Sequence, residues 1–195
     1  MTYIITRSGH AVSPHSGTID LADIRTGLVA APRFAGHTRK PWCVLQHSLV
    51  VWRLLREARP LPTPVSQLWA LLHDAHEAYT GDIPSPFKTP SMAALQQRFD
   101  VRIWRDLTGR ASLLDEDRDI VHRMDGRALL AEALVVGPPS IDEMNLAIHF
   151  SCAPETMPTP AERAAVAQIA ALDITDAQSI WHRGCVALIT DAQNA

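Results

Sequence analysis

Residues 71–84 of the chain read LLHDAHEAYTGDIP, and they place five histidine and carboxylate side chains within ten residues. The apolar residues just before them predict a helix with a buried face. Ionisable groups held against an apolar wall are costly unless they are paired or bind a ligand. A bound metal ion would satisfy them, so the sequence predicts a metal site whose remaining ligands come from elsewhere in the chain.

Length and composition limit the class of protein. The 195 residues, with 47% hydrophobic and 20% charged side chains, predict a single soluble domain over residues 1–195. A formal net charge of −3 gives no general field that attracts nucleic acid or an anionic membrane, so we expect neither as a partner. No apolar run approaches the roughly 18 residues that span a bilayer, and the N-terminus has no signal-peptide pattern. We therefore expect a cytoplasmic protein.

The three cysteines, Cys43, Cys152 and Cys185, are scattered and lack Cys-x-x-Cys spacing. This arrangement argues against a disulfide framework and against a thiolate zinc site. We expect three buried or half-buried free thiols.

Helical periodicity dominates the chain from Thr18 onward, and a short β-prone run at residues 3–6 precedes it. Thr18 is the predicted cap of the first helix. The third helix is predicted to continue through His73 and Asp74 to Tyr79 and to end at Gly81. Further helices are predicted over about 91–107, 116–135, 141–150, 160–172 and 175–191. The fold class predicted from these patterns is all-α.

His73 and Asp74 are adjacent and project about 100° apart on a helix. Imidazole nitrogen with carboxylate oxygen suits Zn, Co, Mn or Fe better than an oxygen-seeking ion. Glu77 neighbours both residues, which suits a supporting partner or a proton donor. His76 lies three residues after His73 and is a weaker candidate ligand; we favour a supporting or surface role.

One helix cannot supply a whole coordination sphere. His47, in the apolar helix predicted after Pro41, is the leading additional ligand. A further carboxylate must come from Asp115, Asp117, Asp119 or Asp125. The first three fall at an acidic helix start and are expected to be solvated, whereas Asp125 is embedded among apolar positions.

His47, His73-Asp74 and Asp125, in this order, resemble the H…HD…D signature of the HD-domain metal-dependent phosphohydrolases. The resemblance is closest to the bacterial 5′-deoxynucleotidase branch and its prophage-type relatives, and it covers roughly residues 3–135. The matching motifs are Arg33-Phe34-x-Gly36-His37-Thr38, Gln46-His47-Ser48, the stretch from Leu72 to Pro84, and Asp125-x-x-Ala128-Leu129.

This resemblance implies an all-α helical core, about residues 18–135, that carries the motifs. It also implies one divalent ion held by His47, His73, Asp74 and Asp125, with Zn, Co, Mn, Fe and Mg all left open. The C-terminal helices, about residues 140–192, carry no matching motif. We expect them to serve packing or oligomer contacts, and a homodimer is left open.

The resemblance also implies roles for other residues. Glu77 would be the general acid or base near the attacking water, and Asp82 would lie near the sugar or the water network. Arg33 and Lys88 would contact the phosphate.

Two positions of the Arg33 motif leave the substrate open. Phe34 replaces a tryptophan that in the deoxynucleotidases helps to exclude a ribose 2′-hydroxyl, so the sugar preference stays open. For His37 we predict contact with the phosphate or the leaving group.

The predicted reaction is hydrolysis of the 5′-phosphate of (deoxy)nucleoside monophosphates to nucleoside and orthophosphate. A phosphate dianion repels anionic nucleophiles, so a metal is needed to acidify water and to neutralise charge. The alternatives are cleavage of (deoxy)nucleoside triphosphates or of an alarmone, and a non-catalytic nucleotide-sensing module. A metal that only joins helices is disfavoured, because uncommitted acid and base groups share its helix.

Overall fold

The computed structural model describes residues 3–58, 60–149 and 156–194, and helices dominate it. The predicted all-α class is confirmed. A two-stranded antiparallel hairpin, β1 (Ile4–Ile5) and β2 (Ala11–Val12), precedes the helices. The helices are α1 (Leu21–Ala30), α2 (Val44–Glu57), α3 (Pro64–Leu72), α4 (Glu77–Thr80), α5 (Pro90–Thr108), α6 (Asp115–Val135), α7 (Glu143–His149), α8 (Pro160–Ala170) and α9 (Ile174–Asn194).

Local capping explains where several helices begin. Asp20, and not the predicted Thr18, caps α1, because its carboxylate accepts hydrogen bonds from the N–H groups of Ala22 and Asp23. Thr63 caps α3 as its sequence position predicts, and Pro64 occupies the first helical position, where a missing N–H costs nothing.

The predicted continuous helix from α3 to Tyr79 is wrong. Helix α3 ends at Leu72, residues 73–76 form a turn, and α4 begins at Glu77. The His73 Nδ1 lies 3.0 Å from the Ala70 carbonyl oxygen, which a continuous α-helix would use for the N–H of Asp74. The imidazole thus competes with the backbone, and the chain turns more tightly at the His-Asp pair.

Helix α2 is buried along most of its length and packs against α3, α6 and α8. The C-terminal helices contribute to the same packing: Trp181 on α9 is fully buried and its Nε1 donates to the Leu71 carbonyl at 3.0 Å. Arg127 on α6 binds Glu162 on α8, with Nε and Oε1 2.6 Å apart. The Trp181 hydrogen bond thus fixes the end of α3 just before His73, and the Arg127 pair joins α6 to α8.

Cys43 and Cys185 are free and buried, as expected, whereas Cys152 lies outside the described residues. Within the described ranges, no helix has both the length and the apolar character needed to cross a bilayer.

Helices α1 and α4 approach each other most closely at Gly27. A Cβ added to Gly27 would lie 2.6 Å from the Ala78 carbonyl oxygen and 2.7 Å from the Ala78 Cα. Only glycine permits this approach, which places α4, and with it Glu77, against α1.

We expect Gly27→Ala to lower the free energy of unfolding by about 1–3 kcal/mol, because the added methyl group must push α1 and α4 apart. Gly126→Ala on α6 is the matched control, since its new Cβ would meet no atom within 4 Å. Replacing a helical glycine in open space should stabilise by up to about 1 kcal/mol. Urea unfolding followed by circular dichroism measures both effects, and equal effects would contradict the prediction.

Candidate metal centre and active-site cleft

Four predicted ligands come together from three elements. His47 projects from α2, His73 and Asp74 from the turn after α3, and Asp125 from α6. The His47 Nε2 lies 3.6 Å from Asp74 Oδ2 and 3.0 Å from Asp125 Oδ1. The His73 Nε2 lies 3.3 Å and 3.9 Å from the same two oxygens. Ligand atoms of His47, His73 and Asp74 all lie within 4.8 Å of one another.

Hydrogen bonds at the other ring nitrogen orient both histidines. The His47 Nδ1 lies 2.8 Å from Glu132 Oε1, and the His73 Nδ1 lies 3.0 Å from the Ala70 carbonyl oxygen. Because a carbonyl only accepts, the proton of His73 sits on Nδ1. Both Nε2 atoms are buried and have no hydrogen-bond partner among the described residues. Two free imidazole nitrogens facing two carboxylates can hold one divalent metal ion.

The electrostatics of the cluster favour a cation. Burial and the Arg33 guanidinium lower the pKa of His47, but the Glu132 and Asp125 carboxylates outweigh them and raise it to about 9. Burial also lowers the pKa of His73, and Asp74 and Asp125 raise it to about 9. Without a metal the carboxylates therefore hold protons on the imidazoles, and a metal ion must displace them.

Among the four aspartates considered for the last ligand, Asp117 departs from expectation. It was expected to be solvated, but it is buried and accepts hydrogen bonds from the hydroxyls of Ser66 and Thr63 at the start of α3. Its task is therefore to join α6 to α3. Asp115 and Asp119 are exposed, as expected.

A cleft of about 540 Å³ opens beside the metal-ligand cluster. Most predicted substrate and acid–base residues line it, whereas His37 is exposed and does not. Contact of His37 with the phosphate or the leaving group thus stays a prediction. The lining side chains are Arg33, Phe34, Asp74, Glu77, Asp82, Ile83, Pro84, Ser85, Pro86, Lys88, Asp125 and Leu129.

Arg33 is buried among carboxylates. Its Nη1 lies 3.8 Å from Asp82 Oδ2, and its Nη2 lies 3.5 Å from Glu132 Oε2. Burial lowers the pKa of Arg33, but Glu132, Asp74 and Asp82 outweigh it and raise the pKa above its ordinary value. The cleft therefore contains a fixed positive charge.

The turn after Arg33 is strained. Phe34 and Ala35 both have left-handed backbone angles, with φ of 53° and 51°. This conformation costs non-glycine residues roughly 1–2 kcal/mol each. The turn places the Phe34 ring on the wall of the cleft, with the Arg33 guanidinium carbon 5.8 Å from the ring centre.

Glu77 is a buried carboxyl group of the cleft whose pKa is strongly raised. Burial, followed by the charges of Asp74 and Asp82, raises its pKa to about 9. Its Oε2 is buried without a hydrogen-bond partner among the described residues. In the metal-free protein Glu77 is consequently protonated at neutral pH and can donate a proton.

His76 is buried, which excludes the surface role considered for it. Its Nδ1 lies 2.8 Å from Asp100 Oδ1, and its Nε2 lies 3.9 Å from Glu77 Oε1. Asp74, His76 and Glu77 form a second group whose ligand atoms lie within 4.8 Å of one another. The contacts with Asp100 and Glu77 fit the supporting role.

Sequence reasoning missed Glu132 on α6. Its side chain is fully buried, and its two oxygens contact His47 and Arg33. The available signal was its position: a single carboxylate in the otherwise apolar run ALLAEALV, two helical turns after Asp125.

Comparison with known proteins first gives sequence relatives. No protein-family model matches the chain. The uncharacterized protein YfdR of Escherichia coli K12 is 32% identical over 108 residues, which are 53% of this chain and 57% of YfdR. The uncharacterized protein RCAP_rcc00048 of Rhodobacter capsulatus is 37% identical over 79 residues, which are 40% of each chain. The chain thus spans about half the length of the curated relatives it matches.

Among solved structures, the HD phosphohydrolase DatZ of cyanophage S-2L superimposes with a TM-score of 0.53 and 20% sequence identity. The match covers 89% of this chain and 98% of DatZ. The chain has the fold of an HD phosphohydrolase. The DatZ structure contains dA and one catalytic Zn²⁺ ion. The HD fold agrees with the fold that the H…HD…D motif implies.

We expect Asp125→Ala to weaken Zn²⁺ binding by more than about tenfold, since even the loss of a partner that supports a ligand costs about 10- to 100-fold. Asp119→Ala removes an exposed carboxylate from the same helix and should leave the affinity unchanged. Competition with a chromogenic chelator measures both. An Asp125→Ala variant that binds Zn²⁺ like wild type would exclude Asp125 as a ligand.

The acidity of Glu77 predicts a dependence of stability on pH in chelator-treated protein. Its folded pKa of about 9 exceeds the ordinary 4.5, so its contribution to stability is fully present below about pH 4.5 and is lost progressively as the pH rises from there to about 9. The Glu77→Gln variant has no carboxyl group to titrate at this position, so it does not lose this stability as the pH rises. The variant should match wild type near pH 4 and exceed it by more than about 1 kcal/mol near pH 8.

Urea unfolding at several pH values, with the exposed Glu116→Gln as control, measures the difference. A stability gain of Glu77→Gln that does not change with pH would show that the carboxyl is not protonated in the folded state.

Proposed function

We propose that the chain is a metal-dependent phosphohydrolase that removes the 5′-phosphate of (deoxy)nucleoside monophosphates and releases nucleoside and orthophosphate. In this proposal it belongs to the 5′-deoxynucleotidase branch of the HD phosphohydrolases and its prophage-type relatives. The proposal follows the motifs in residues 33–129, and the HD fold is consistent with it.

The observation that carries the proposal is the composition of one cleft. The buried Arg33, the buried Glu77 and the proposed ligands Asp74 and Asp125 line a space of about 540 Å³. The Nε2 atoms of His47 and His73 lie beside these two aspartates. Small-molecule sites typically occupy about 300–1,000 Å³. A metal site, a phosphate-binding cation and a proton donor are the three parts that hydrolysis of a phosphate monoester requires.

His47, His73, Asp74 and Asp125 would hold the divalent ion. When bound, this ion supplies Lewis-acid chemistry: it lowers the pKa of water and neutralises phosphate charge. The single catalytic Zn²⁺ in DatZ supports a one-metal site, and the dA in the same structure supports a nucleoside in the cleft.

Arg33 and Lys88 bind the phosphate. The planar Arg33 guanidinium is held between Asp82 and Glu132, so its geometry is fixed before the substrate arrives. Lys88 lines the cleft from an exposed position, from which its flexible chain reaches the phosphate. The two cations offset the repulsion between the dianion and the carboxylates of the cleft.

Glu77 donates a proton to the departing 5′-oxygen of the sugar. Its carboxyl is buried and lines the cleft, a position that suits a general acid. Asp82, whose pKa burial also raises, orients the sugar or the water network beside Arg33. Phe34 contacts the sugar or the base from the cleft wall, where it stands in place of the tryptophan of the deoxynucleotidases.

Malachite green detection of orthophosphate from a panel of nucleoside monophosphates tests the reaction. We expect chelation of metal and His73→Ala to abolish phosphate release, and Glu77→Gln to lower kcat by about 10²- to 10⁴-fold. The exposed-residue variant Asp115→Ala is the control and should retain full activity.

Product analysis separates the alternatives. Release of pyrophosphate or triphosphate from a triphosphate or alarmone panel would replace the monophosphatase assignment. Nucleotide binding without turnover in the presence of Zn, Co, Mn or Mg would identify a sensing module instead.

A further inference from the structure

We propose that Glu132 is the positioning residue of the site, with one carboxylate that orients the metal ligand His47 and fixes the buried Arg33. The inference rests on the proposed metal site and does not depend on which substrate is hydrolysed.

Glu132 has no solvent-accessible side-chain surface and uses its two oxygens on different partners. Oε1 lies 2.8 Å from His47 Nδ1, and Oε2 lies 3.5 Å from Arg33 Nη2. A buried carboxylate is costly unless charged partners surround it, and these two contacts supply both partners. Among the described residues, Glu132 is the carboxylate that contacts both a proposed metal ligand and the phosphate-binding arginine.

The contact with His47 determines which ring nitrogen can bind metal. A carboxylate that accepts a hydrogen bond from Nδ1–H keeps the proton on that nitrogen. The lone pair of Nε2, which faces Asp74 and Asp125, then stays free to bind a metal ion. The carboxylate also makes the imidazole more basic and therefore a stronger ligand. Without Glu132, the neutral ring is free to rotate or to carry its proton on Nε2 in place of Nδ1, and the ligand geometry is lost.

The contact of Glu132 with Arg33 fixes the orientation of the guanidinium group. A buried guanidinium with an incomplete set of acceptors would turn towards the other carboxylates of the cleft, including Asp74 and Asp82. Glu132 occupies Nη2 from the side of α6, while Asp82 lies near Nη1. The guanidinium is thereby held between Glu132 on α6 and Asp82 in the loop after α4.

Helix α6 supplies both the proposed ligand Asp125 and its companion Glu132. The two residues are seven positions apart, which places them on nearly the same face two turns apart. Because both residues lie on one helix, the position of the proposed ligand Asp125 is fixed relative to Glu132, which orients the proposed ligand His47.

The test uses the full chain with two substitutions of similar volume. Glu132→Met removes the acceptor, and we expect it to weaken Zn²⁺ binding by about 10- to 100-fold in a chelator-competition titration. Glu132→Gln keeps an oxygen that accepts from Nδ1–H, so most of the lost affinity should return. Asp117→Asn is the matched control on α6, because Asp117 is also buried, and its hydrogen-bond partners among the described residues are Ser66 and Thr63 at the start of α3.

A second readout does not require the Glu132→Met variant to fold. In the Zn²⁺-loaded wild-type protein, the Nδ1–H proton of His47 should give a slowly exchanging, downfield NMR signal, and Glu132→Gln should retain it. Absence of this signal from wild type overturns the inference, even if the Met variant does not fold.

The remaining outcomes are distinct. Wild-type affinity in a folded Glu132→Met variant, or an equal loss in Asp117→Asn, would overturn the positioning role. Failure of the wild-type chain to bind Zn²⁺ would overturn both the metal site and this inference. Zn²⁺ binding without hydrolysis of any nucleotide would refute the proposed reaction alone and leave the role of Glu132 supported.

Discussion

The fully buried imidazole of His47 is the group on which the site depends. It lies in α2, the helix that packs against α3, α6 and α8, and its two nitrogens face different neighbours. Nδ1 meets Glu132, and Nε2 meets Asp74 and Asp125. A buried polar ring needs a partner at each nitrogen. Glu132 is the partner at Nδ1, and a metal ion shared with Asp74 and Asp125 would be the partner at Nε2. The residues that complete the site therefore come from the elements that pack around α2 and from the turn after α3.

Much of this arrangement could be predicted from the sequence, because helical periodicity and apolar context are local signals. Its apolar surroundings favour Asp125 over the other three aspartates as the predicted ligand, and its Oδ1 lies 3.0 Å from His47 Nε2. The same reasoning failed for Asp117, which is buried although it belongs to an acidic helix start. Its partners, Ser66 and Thr63, are about 50 residues away along the chain, and periodicity carries no information on such pairs.

The break after Leu72 and the role of Glu132 were missed for related reasons. Helical spacing continues through residues 73–80, and only the contact between His73 and the Ala70 carbonyl reveals the competition that ends α3. Glu132 looks like an ordinary acidic residue of a helix until Arg33 and His47 are placed around it. Helix propensity predicts individual helices. The site consists of contacts between helices, which propensity does not predict.

Charge balance connects these contacts to function. Asp74, Glu77, Asp82, Asp125 and Glu132 surround a small volume that contains one arginine. In the metal-free protein, the surrounding carboxylates raise the pKa of His47 and His73 to about 9, and burial, followed by the charges of Asp74 and Asp82, raises the pKa of Glu77 to about 9, so that protons on these groups compensate for the excess. A divalent ion can replace the protons of the two imidazoles, because it binds the nitrogens that lose them. The acidic cluster thus destabilises the metal-free protein, and a bound cation would offset this cost.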